Sequence, residues 1–192
     1  TKWWELLNPL PMPGEKPGDP TPRIEYAKAT AQAMYDAWPD MKSMHQIEPE
    51  RYDEEVQLIE RSLLCIMWPF YFFIRNNVPW MFQQDHTKAY DELKLWLQVL
   101  QHQDPARRKR KWMLKSPHHL LGGGFEHALR SVPDAKMMMT HRAIEDVISS
   151  FCSLQSEQLK PFSTTFDQKK MGKYGIAWFT MGIRKMMDVR KT

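Results

Sequence analysis

The chain has 192 residues, of which 42% are hydrophobic and 12% aromatic, and its formal net charge is +4. This composition excludes a disordered chain, and the length is enough for one domain with a real core. The positive charge suits an anionic ligand but is too small to indicate nucleic-acid binding by itself. Because no run of eighteen apolar residues occurs, we expect no transmembrane helix.

The two cysteines, Cys65 and Cys152, are too few for a disulfide framework. This scarcity favours a reducing compartment, so we predict a cytoplasmic location. The spacing of cysteines and histidines does not match a zinc site, and we predict no metal.

The first half of the chain predicts an extended lead-in followed by helices. Prolines and glycines dominate residues 8–22 and exclude regular structure there, so residues 1–22 are predicted to be extended. Apolar residues at helical spacing predict helices over Arg23–Trp38, Asp53–Trp68 and Thr87–His102. Residues 23–105 are therefore predicted to be a helical region. Carboxylates favour the positive end of a helix, which gives Asp53, Glu54 and Glu55 a structural role at the start of the second helix.

A basic run, ARRKRK, occupies residues 106–111. One interpretation is a nucleic-acid or nuclear-localisation patch. The run is short and contains no aromatic residue, which favours a solvated turn. We therefore predict no nucleic-acid partner.

Residues 112–157 have the pattern of a strand, a helix, a second strand and a second helix. Trp112–Lys115 and Lys136–Thr140 are short apolar runs, and each precedes residues of helical spacing. The pattern predicts parallel neighbouring strands in an α/β fold, with Lys115 and Arg142 at the carboxyl edge where ligands bind. Ser116 is a candidate N-cap with Pro117 at the first helical position, which would add an anion-binding helix end beside Lys115.

The second helix of this unit has one apolar stripe, and Ser150 lies about 100° from its centre on a helical wheel of 100° per residue. The stripe consists of Ile144, Val147, Ile148, Phe151 and Leu154. Ser150 is therefore the better candidate to face the groove, because Ser149 lies farther towards solvent.

The run LKSPHHL, the run PDAKMMMTHR and a serine eight residues after the arginine together resemble the sulfotransferases that use 3′-phosphoadenosine 5′-phosphosulfate (PAPS), most closely the bacterial-type branch. This resemblance implies a three-layer α/β fold like that of the P-loop nucleotide-binding proteins. It implies that Lys115 contacts the phosphosulfate, and that Arg142 and Ser150 bind the 3′-phosphate. Without the resemblance, the favoured interpretation is that both cations are solvated strand ends and that Ser150 is an ordinary helix residue.

The resemblance also implies a reaction, the transfer of a sulfuryl group from PAPS to a hydroxyl or amine of a small acceptor. Lys115 would stabilise the leaving phosphate. His119 matches the family's histidine in KSPxH and is the first candidate for the base. Glu55 is the alternative base, in an acceptor pocket with His45. The alternative interpretation is that His118 and His119 lie at the start of a helix and have no catalytic role.

Sulfotransferases of this branch also carry a phosphosulfate-binding loop resembling PRSGTT, and no such run occurs in residues 1–192. The resemblance therefore predicts a single but partial sulfotransferase-like domain over 1–192, with its cofactor-binding unit at 112–157 and a C-terminal helix at 168–190. A longer chain or a partner chain would supply the loop. The protein partners left open are this partner chain and a homo-oligomer. The alternatives are an inactive sulfotransferase fragment and a non-catalytic helical interaction module.

Overall fold

The computed structural model describes residues 1–163 and 167–191. Its α-helices, in chain order, are α1 Trp3–Leu7, α2 Thr21–Ala37, α3 Met41–Met44, α4 Val56–Glu60, α5 Met67–Phe72, α6 Asn77–Met81, α7 Thr87–Gln103, α8 His118–Leu121, α9 Phe125–Ser131, α10 Ile144–Leu159 and α11 Gln168–Val189. A short 3-10 helix, Pro105–Lys109, follows α7. Among these described helices, none combines the length and apolarity needed to cross a membrane.

The chain forms two compact units. The first unit holds Thr1–Arg61 and Asp91–Ser116, and the second holds Ser62–Tyr90 and Pro117–Thr192. Helix α7 begins in the second unit and ends in the first, because the division falls after Tyr90.

The core of the first unit lies between α1, α2, α4 and the later part of α7. Helix α1 packs against α2 and α4. The side chains buried there include Trp3, Leu6, Ala27, Leu58, Ile59, Leu93, Leu97 and Leu100. The last three share one face of α7, as their helical spacing predicts. Burial of this face stabilises a helix whose other side is exposed.

A buried arginine fixes the proline-rich lead-in of the first unit. Arg23 Nη2 lies 2.8 Å from Glu15 Oε1. Arg23 Nη1 also donates to the carbonyl oxygen of Asn8 at 3.3 Å, and the guanidinium lies 4.7 Å from the centre of the Trp4 ring. The buried guanidinium of Arg23 therefore holds the lead-in against the first turn of α2.

The core of the second unit is built around α11, which packs against α8, α9 and α10. Trp178 of α11 is buried, and its indole N–H donates to the carbonyl oxygen of Leu121 at 2.7 Å. The Phe151 ring of α10 contacts the rings of Trp178 and Phe179, at centroid distances of 5.6 and 5.2 Å. At Gly182 a Cβ atom would lie 2.9 Å from the carbonyl oxygen of Leu120, so glycine allows α11 to approach α8 this closely.

The predicted three-layer α/β fold with a parallel sheet is wrong for the described residues. Neither Trp112–Lys115 nor Lys136–Thr140 forms a strand, and the recorded β pairing is an isolated antiparallel bridge between Lys2 and Tyr52. A strand requires a hydrogen-bonded neighbour. The backbone N–H of Lys115 donates to a carboxylate instead, at 2.9 Å from Glu55 Oε2. Within the described residues, no backbone N–H of Lys136–Arg142 donates to a backbone carbonyl.

The predicted helix over Asp53–Trp68 is also wrong, because the chain forms two short helices, α4 and α5, with a break between them. Leu63 lies in this break with φ +65°, in the left-handed region, where a right-handed helix cannot continue. The acidic residues 53–55 precede α4. Glu55 occupies its N-cap position without a side-chain capping bond.

Candidate functional site

Lys115 of the first unit is surrounded by carboxylates. Its ammonium forms an ion pair with Glu54, and its backbone N–H donates to Glu55. The two carboxylates differ in burial, since Glu55 is 1% exposed and the Glu54 side chain 20% exposed. The Lys115 side chain is 78% exposed. Glu55 thus holds the backbone of Lys115, while the ammonium group faces solvent.

A cavity of about 420 Å³ opens beside Lys115 in the same unit. Its walls are formed by Thr1, Tyr52, Asp53, Glu54, Arg107, Arg110, Lys111, Trp112, Met113 and Lys115. This volume is within the usual range for small-molecule sites. Four side-chain cations and two carboxylates line the cavity, so it favours an anionic ligand.

His45 and Asp53 form a pair in the first unit, with Nε2 and Oδ2 3.6 Å apart. The interaction with the Asp53 carboxylate raises the pKa of His45 above its usual value. Burial acts to raise the pKa of Asp53, but the contact with His45 and the hydrogen bond from the backbone N–H of Glu54 outweigh burial, so the pKa is lowered. The carboxylate next to His45 is thus that of Asp53, whereas the resemblance implies an acceptor pocket shared by His45 and Glu55.

The adjacent histidines of α8 in the second unit have different surroundings. His118 is fully buried, and its Nδ1 accepts from the backbone N–H of Ile66 at 3.4 Å. Burial, with the neighbouring His119 and His86, lowers the pKa of His118 well below its usual value, so this ring is neutral at pH 7. His119 is half-buried, and its Nδ1 lies 3.1 Å from the phenol oxygen of Tyr90.

The glycine triplet after α8 explains how these rings fit together. Gly122–Gly124 separate α8 from α9, whereas the pattern of residues 112–157 predicts one helix between the two predicted strands. A Cβ atom at Gly122 would lie 2.4 Å from Cε1 of His118, and one at Gly124 would lie 2.6 Å from Cε2 of Tyr90. Gly123 has φ +82°, a conformation that favours glycine. The glycine triplet therefore leaves room for the rings of His118 and Tyr90. This role could not be predicted from the sequence, because the spacing of glycines does not reveal which side chains pack against them.

The predicted N-cap at Ser116 is wrong. Helix α8 begins at His118 after Pro117, with no side-chain capping bond, and has only four residues. So short a helix has little macrodipole. The start of α8 therefore adds no anion-binding site beside Lys115.

Arg142 and Ser150 lie in the second unit, and both are exposed. Arg142 precedes α10, and Ser150 follows the first residue of this helix by six positions, a rise of about 9 Å. Neither side chain hydrogen bonds or pairs with another described residue. The predicted apolar stripe of α10 is buried only in part, because Ile144 is 49% exposed. The start of α10 and the segment before it thus face solvent.

The predicted site residues are divided between the two units. Lys115 and Glu55 meet in the first unit through a hydrogen bond. His119, Arg142 and Ser150 belong to the second unit.

A family model described as the sulfotransferase family matches residues 3–192. The chain belongs to the sulfotransferase family. The resemblance carried by LKSPHHL and PDAKMMMTHR is therefore confirmed, and Lys115, His119, Arg142 and Ser150 all lie within the matched range. No curated protein sequence matches the chain.

Two solved sulfotransferases resemble the chain in structure. The crystal structure of sulfotransferase STF9 from Mycobacterium avium has a TM-score of 0.80 and 21% identity, and the match covers 100% of this chain and 48% of that chain. For sulfotransferase STF1 from Mycobacterium tuberculosis H37Rv, the TM-score is 0.82, the identity 23%, and the coverage 99% of this chain and 51% of that chain. The chain thus shares their fold and spans about half their length.

Proposed function

We propose that the residues of this chain bind PAPS and assist the transfer of its sulfuryl group to a hydroxyl or amine of a small acceptor. The family match over residues 3–192 carries the proposal. The cation-lined cavity beside Lys115 supports it, because phosphosulfate is anionic.

Lys115 is proposed to contact the phosphosulfate and to stabilise the phosphate that leaves. Sulfuryl transfer builds negative charge on this leaving group, and a fixed cation lowers the energy of that state. The exposed Lys115 side chain at the cavity wall supports this role, and its ammonium would exchange the ion pair with Glu54 for the ligand. The backbone bond to Glu55 limits the movement of Lys115 at its Cα end.

Arg142 and Ser150 are proposed to bind the 3′-phosphate. A guanidinium group offers several N–H donors that match phosphate oxygens, and a serine hydroxyl can add another. Both side chains are exposed and lack a partner among the described residues, which supports their availability for a ligand. A guanidinium already bound to a carboxylate would have to exchange that partner first.

The acceptor must lose a proton during transfer, and His119 is the preferred base. Histidine suits proton abstraction near pH 7. His119 is half-buried, whereas Glu55 is 1% exposed and accepts the backbone N–H of Lys115. An acceptor therefore reaches the imidazole more easily than the Glu55 carboxylate, which stays the alternative.

Calorimetric titration with 3′,5′-adenosine bisphosphate, the desulfated donor, tests the phosphate assignment. Arg142→Ala is expected to weaken binding at least tenfold, about 1.4 kcal/mol. Arg130→Ala is the matched control. Arg130 is also an exposed arginine, but it forms an ion pair with Glu126 of the same helix and is not proposed to bind phosphate. Adenosine 5′-monophosphate, which lacks the 3′-phosphate, should bind the wild type and Arg142→Ala alike.

Equal affinity of the wild type and Arg142→Ala for the bisphosphate would overturn the assignment of Arg142. Absence of binding by the folded wild-type chain, with circular dichroism as the check on folding, would contradict the proposal that this chain binds the donor. It would favour an interaction module instead.

A further inference from the structure

An aromatic patch, formed by Trp68, Tyr71, Phe72 and Phe162, lies on the surface of the second unit. The rings of Phe72 and Phe162 meet edge to face with centroids 5.0 Å apart, yet these residues are 46% and 54% exposed. The Tyr71 ring lies 6.4 Å from Phe72 and 6.5 Å from Phe162, and the Trp68 ring stacks on Phe72 at 6.3 Å. Aromatic rings that contact one another are therefore also in contact with water.

The backbone after α5 extends this apolar surface. Phe73 has φ +51°, in the left-handed region, which ends α5 and is unusual for a bulky residue. Its ring packs on Tyr174 of α11 with centroids 5.3 Å apart, while the next residue, Ile74, is 45% exposed. Backbone strain of this kind is concentrated at functional sites.

The two segments that carry these side chains are rich in positive charge. Residues 68–75 and 160–174 contain five of the 27 lysines and arginines of the chain and one of its 23 aspartates and glutamates. The formal charges of all other residues cancel, so these segments account for the net charge of +4. Their five basic residues are all exposed, namely Arg75, Lys160, Lys169, Lys170 and Lys173.

The contacts of this region place cations beside the apolar surface. The Tyr174 hydroxyl donates to the carbonyl oxygen of Ile74 at 3.4 Å. This bond brings their chain neighbours, Lys173 and Arg75, to one edge of the surface.

Two carboxylates accompany the cations. Oδ1 of Asp167 accepts the backbone N–H groups of Lys169 and Lys170 at the start of α11. Glu157, just outside the two segments, pairs with Lys160 at 2.5 Å. With Glu157 included, the cations still exceed the carboxylates by three.

We propose that this surface binds an anionic lipid membrane at the level of the headgroups. Aromatic rings favour the boundary between hydrocarbon and headgroups, and lysines and arginines are attracted to anionic lipids. The surface offers both kinds of side chain. An apolar protein partner would need the rings but not the surplus of cations, so charge complementarity favours lipid. This property goes beyond sulfuryl transfer and does not depend on it.

Flotation of the full chain with lipid vesicles tests the proposal without any sulfuryl donor. The wild type should float with vesicles of equal parts phosphatidylcholine and phosphatidylglycerol. It should bind vesicles of phosphatidylcholine alone more weakly, by about tenfold or more. High salt should weaken binding to the anionic vesicles, because it screens the attraction of the cations.

The rings are tested by Phe72→Ser combined with Phe162→Ser. This variant is expected to partition onto the anionic vesicles about tenfold or more weakly than the wild type, because two exposed rings no longer enter the interface. Tyr26→Ser is the matched control, since Tyr26 is an aromatic residue that is 49% exposed on α2 in the first unit. It should partition like the wild type.

The cations are tested by Arg75→Gln combined with Lys173→Gln, which should weaken partitioning about tenfold. Arg108→Gln combined with Lys109→Gln removes the same charge from exposed residues of the first unit. This control should leave partitioning nearly unchanged.

The proposal would be overturned if the folded wild type, checked by circular dichroism, bound neither kind of vesicle or bound both kinds equally. These outcomes need no variant, so failure of the Phe72 and Phe162 variant to fold does not decide the test. Equal partitioning of that variant and Tyr26→Ser would also overturn it. Self-association without vesicle binding would show that a second copy covers the surface, and would exclude the lipid proposal. Failure of the bisphosphate titration would contradict the proposed function and leave the vesicle result intact.

Discussion

Arg107 Nη2 lies 2.6 Å from Glu5 Oε1, and both side chains are largely buried in the first unit. The same guanidinium contacts Asp104 through Nε at 3.1 Å and lies 5.8 Å from the centre of the Trp112 ring. One arginine of the basic run 106–111 therefore belongs to the packed interior, whereas Arg108 and Lys109 of the same 3-10 helix are exposed. The run thus combines a structural ion pair with a solvated turn.

Arg107→Ala is expected to lower the free energy of unfolding by about 3 kcal/mol, because it leaves the Glu5 carboxylate buried without its cation. Urea unfolding followed by circular dichroism measures the loss. Arg108→Ala, the exposed neighbour, should change stability by less than about 0.5 kcal/mol. Equal effects of the two substitutions would contradict the structural role of Arg107.

Gly124→Ala is expected to destabilise the chain by about 2 kcal/mol, because the added methyl group overlaps the Tyr90 ring. Gly172→Ala is the control. Gly172 lies in α11 with nothing within 4 Å of the added Cβ, so alanine there should stabilise the helix by up to about 1 kcal/mol. Thermal melts of both variants should shift in opposite directions, and a shift of Gly124→Ala to higher temperature would contradict the packing described.

The stability of the chain is expected to fall as the pH drops below about 6.5, the usual pKa of histidine. Burial lowers the pKa of both His118 and His86 in the folded chain. Below pH 6.5 the unfolded chain therefore binds more protons than the folded chain, and the free energy of unfolding decreases with falling pH. Urea unfolding at pH 8, 6 and 5 tests this, and His118→Gln should show a shallower decrease than the wild type.

His45→Gln is the comparison with the opposite sign. Asp53 raises the pKa of His45 in the folded chain. The His45–Asp53 pair therefore contributes its full stabilisation at pH values below the pKa that His45 has in the unfolded chain. This stabilisation is lost as the pH rises through the raised pKa of the folded chain. This variant should therefore lose more stability at pH 5 than at pH 8. A loss that is greater at pH 8 would contradict the His45–Asp53 pair.

The longer helices could be predicted from the sequence. Periodic apolar residues placed helices at Arg23–Trp38 and Thr87–His102, and the structure has them at Thr21–Ala37 and Thr87–Gln103. A long amphipathic helix is a local property of one segment, because the spacing of its apolar residues alone determines which face is buried. The helix over Asp53–Trp68 failed because apolar spacing does not reveal a left-handed residue such as Leu63.

The predicted parallel sheet does not form among the described residues, because a strand depends on a hydrogen-bonding partner elsewhere in the chain. Trp112–Lys115 and Lys136–Thr140 have the composition of strands, but composition does not say what their backbone groups bond to. For the candidate site, the LKSPHHL motif was enough to indicate the correct family. The ion pair between Lys115 and Glu54 and the contact between Tyr90 and His119 join residues distant in sequence, and no motif indicates them.

The segment Lys136–Arg142 combines exposed side chains with backbone N–H groups that bond to no described carbonyl. Amide hydrogens in such a segment exchange with deuterated water at nearly the rate of an unfolded peptide, whereas those inside the core of α11 must wait for the helix to open. The chain thus carries a fast-exchanging reference stretch within its own sequence. Against it, the protection of every packed helix can be measured in a single sample.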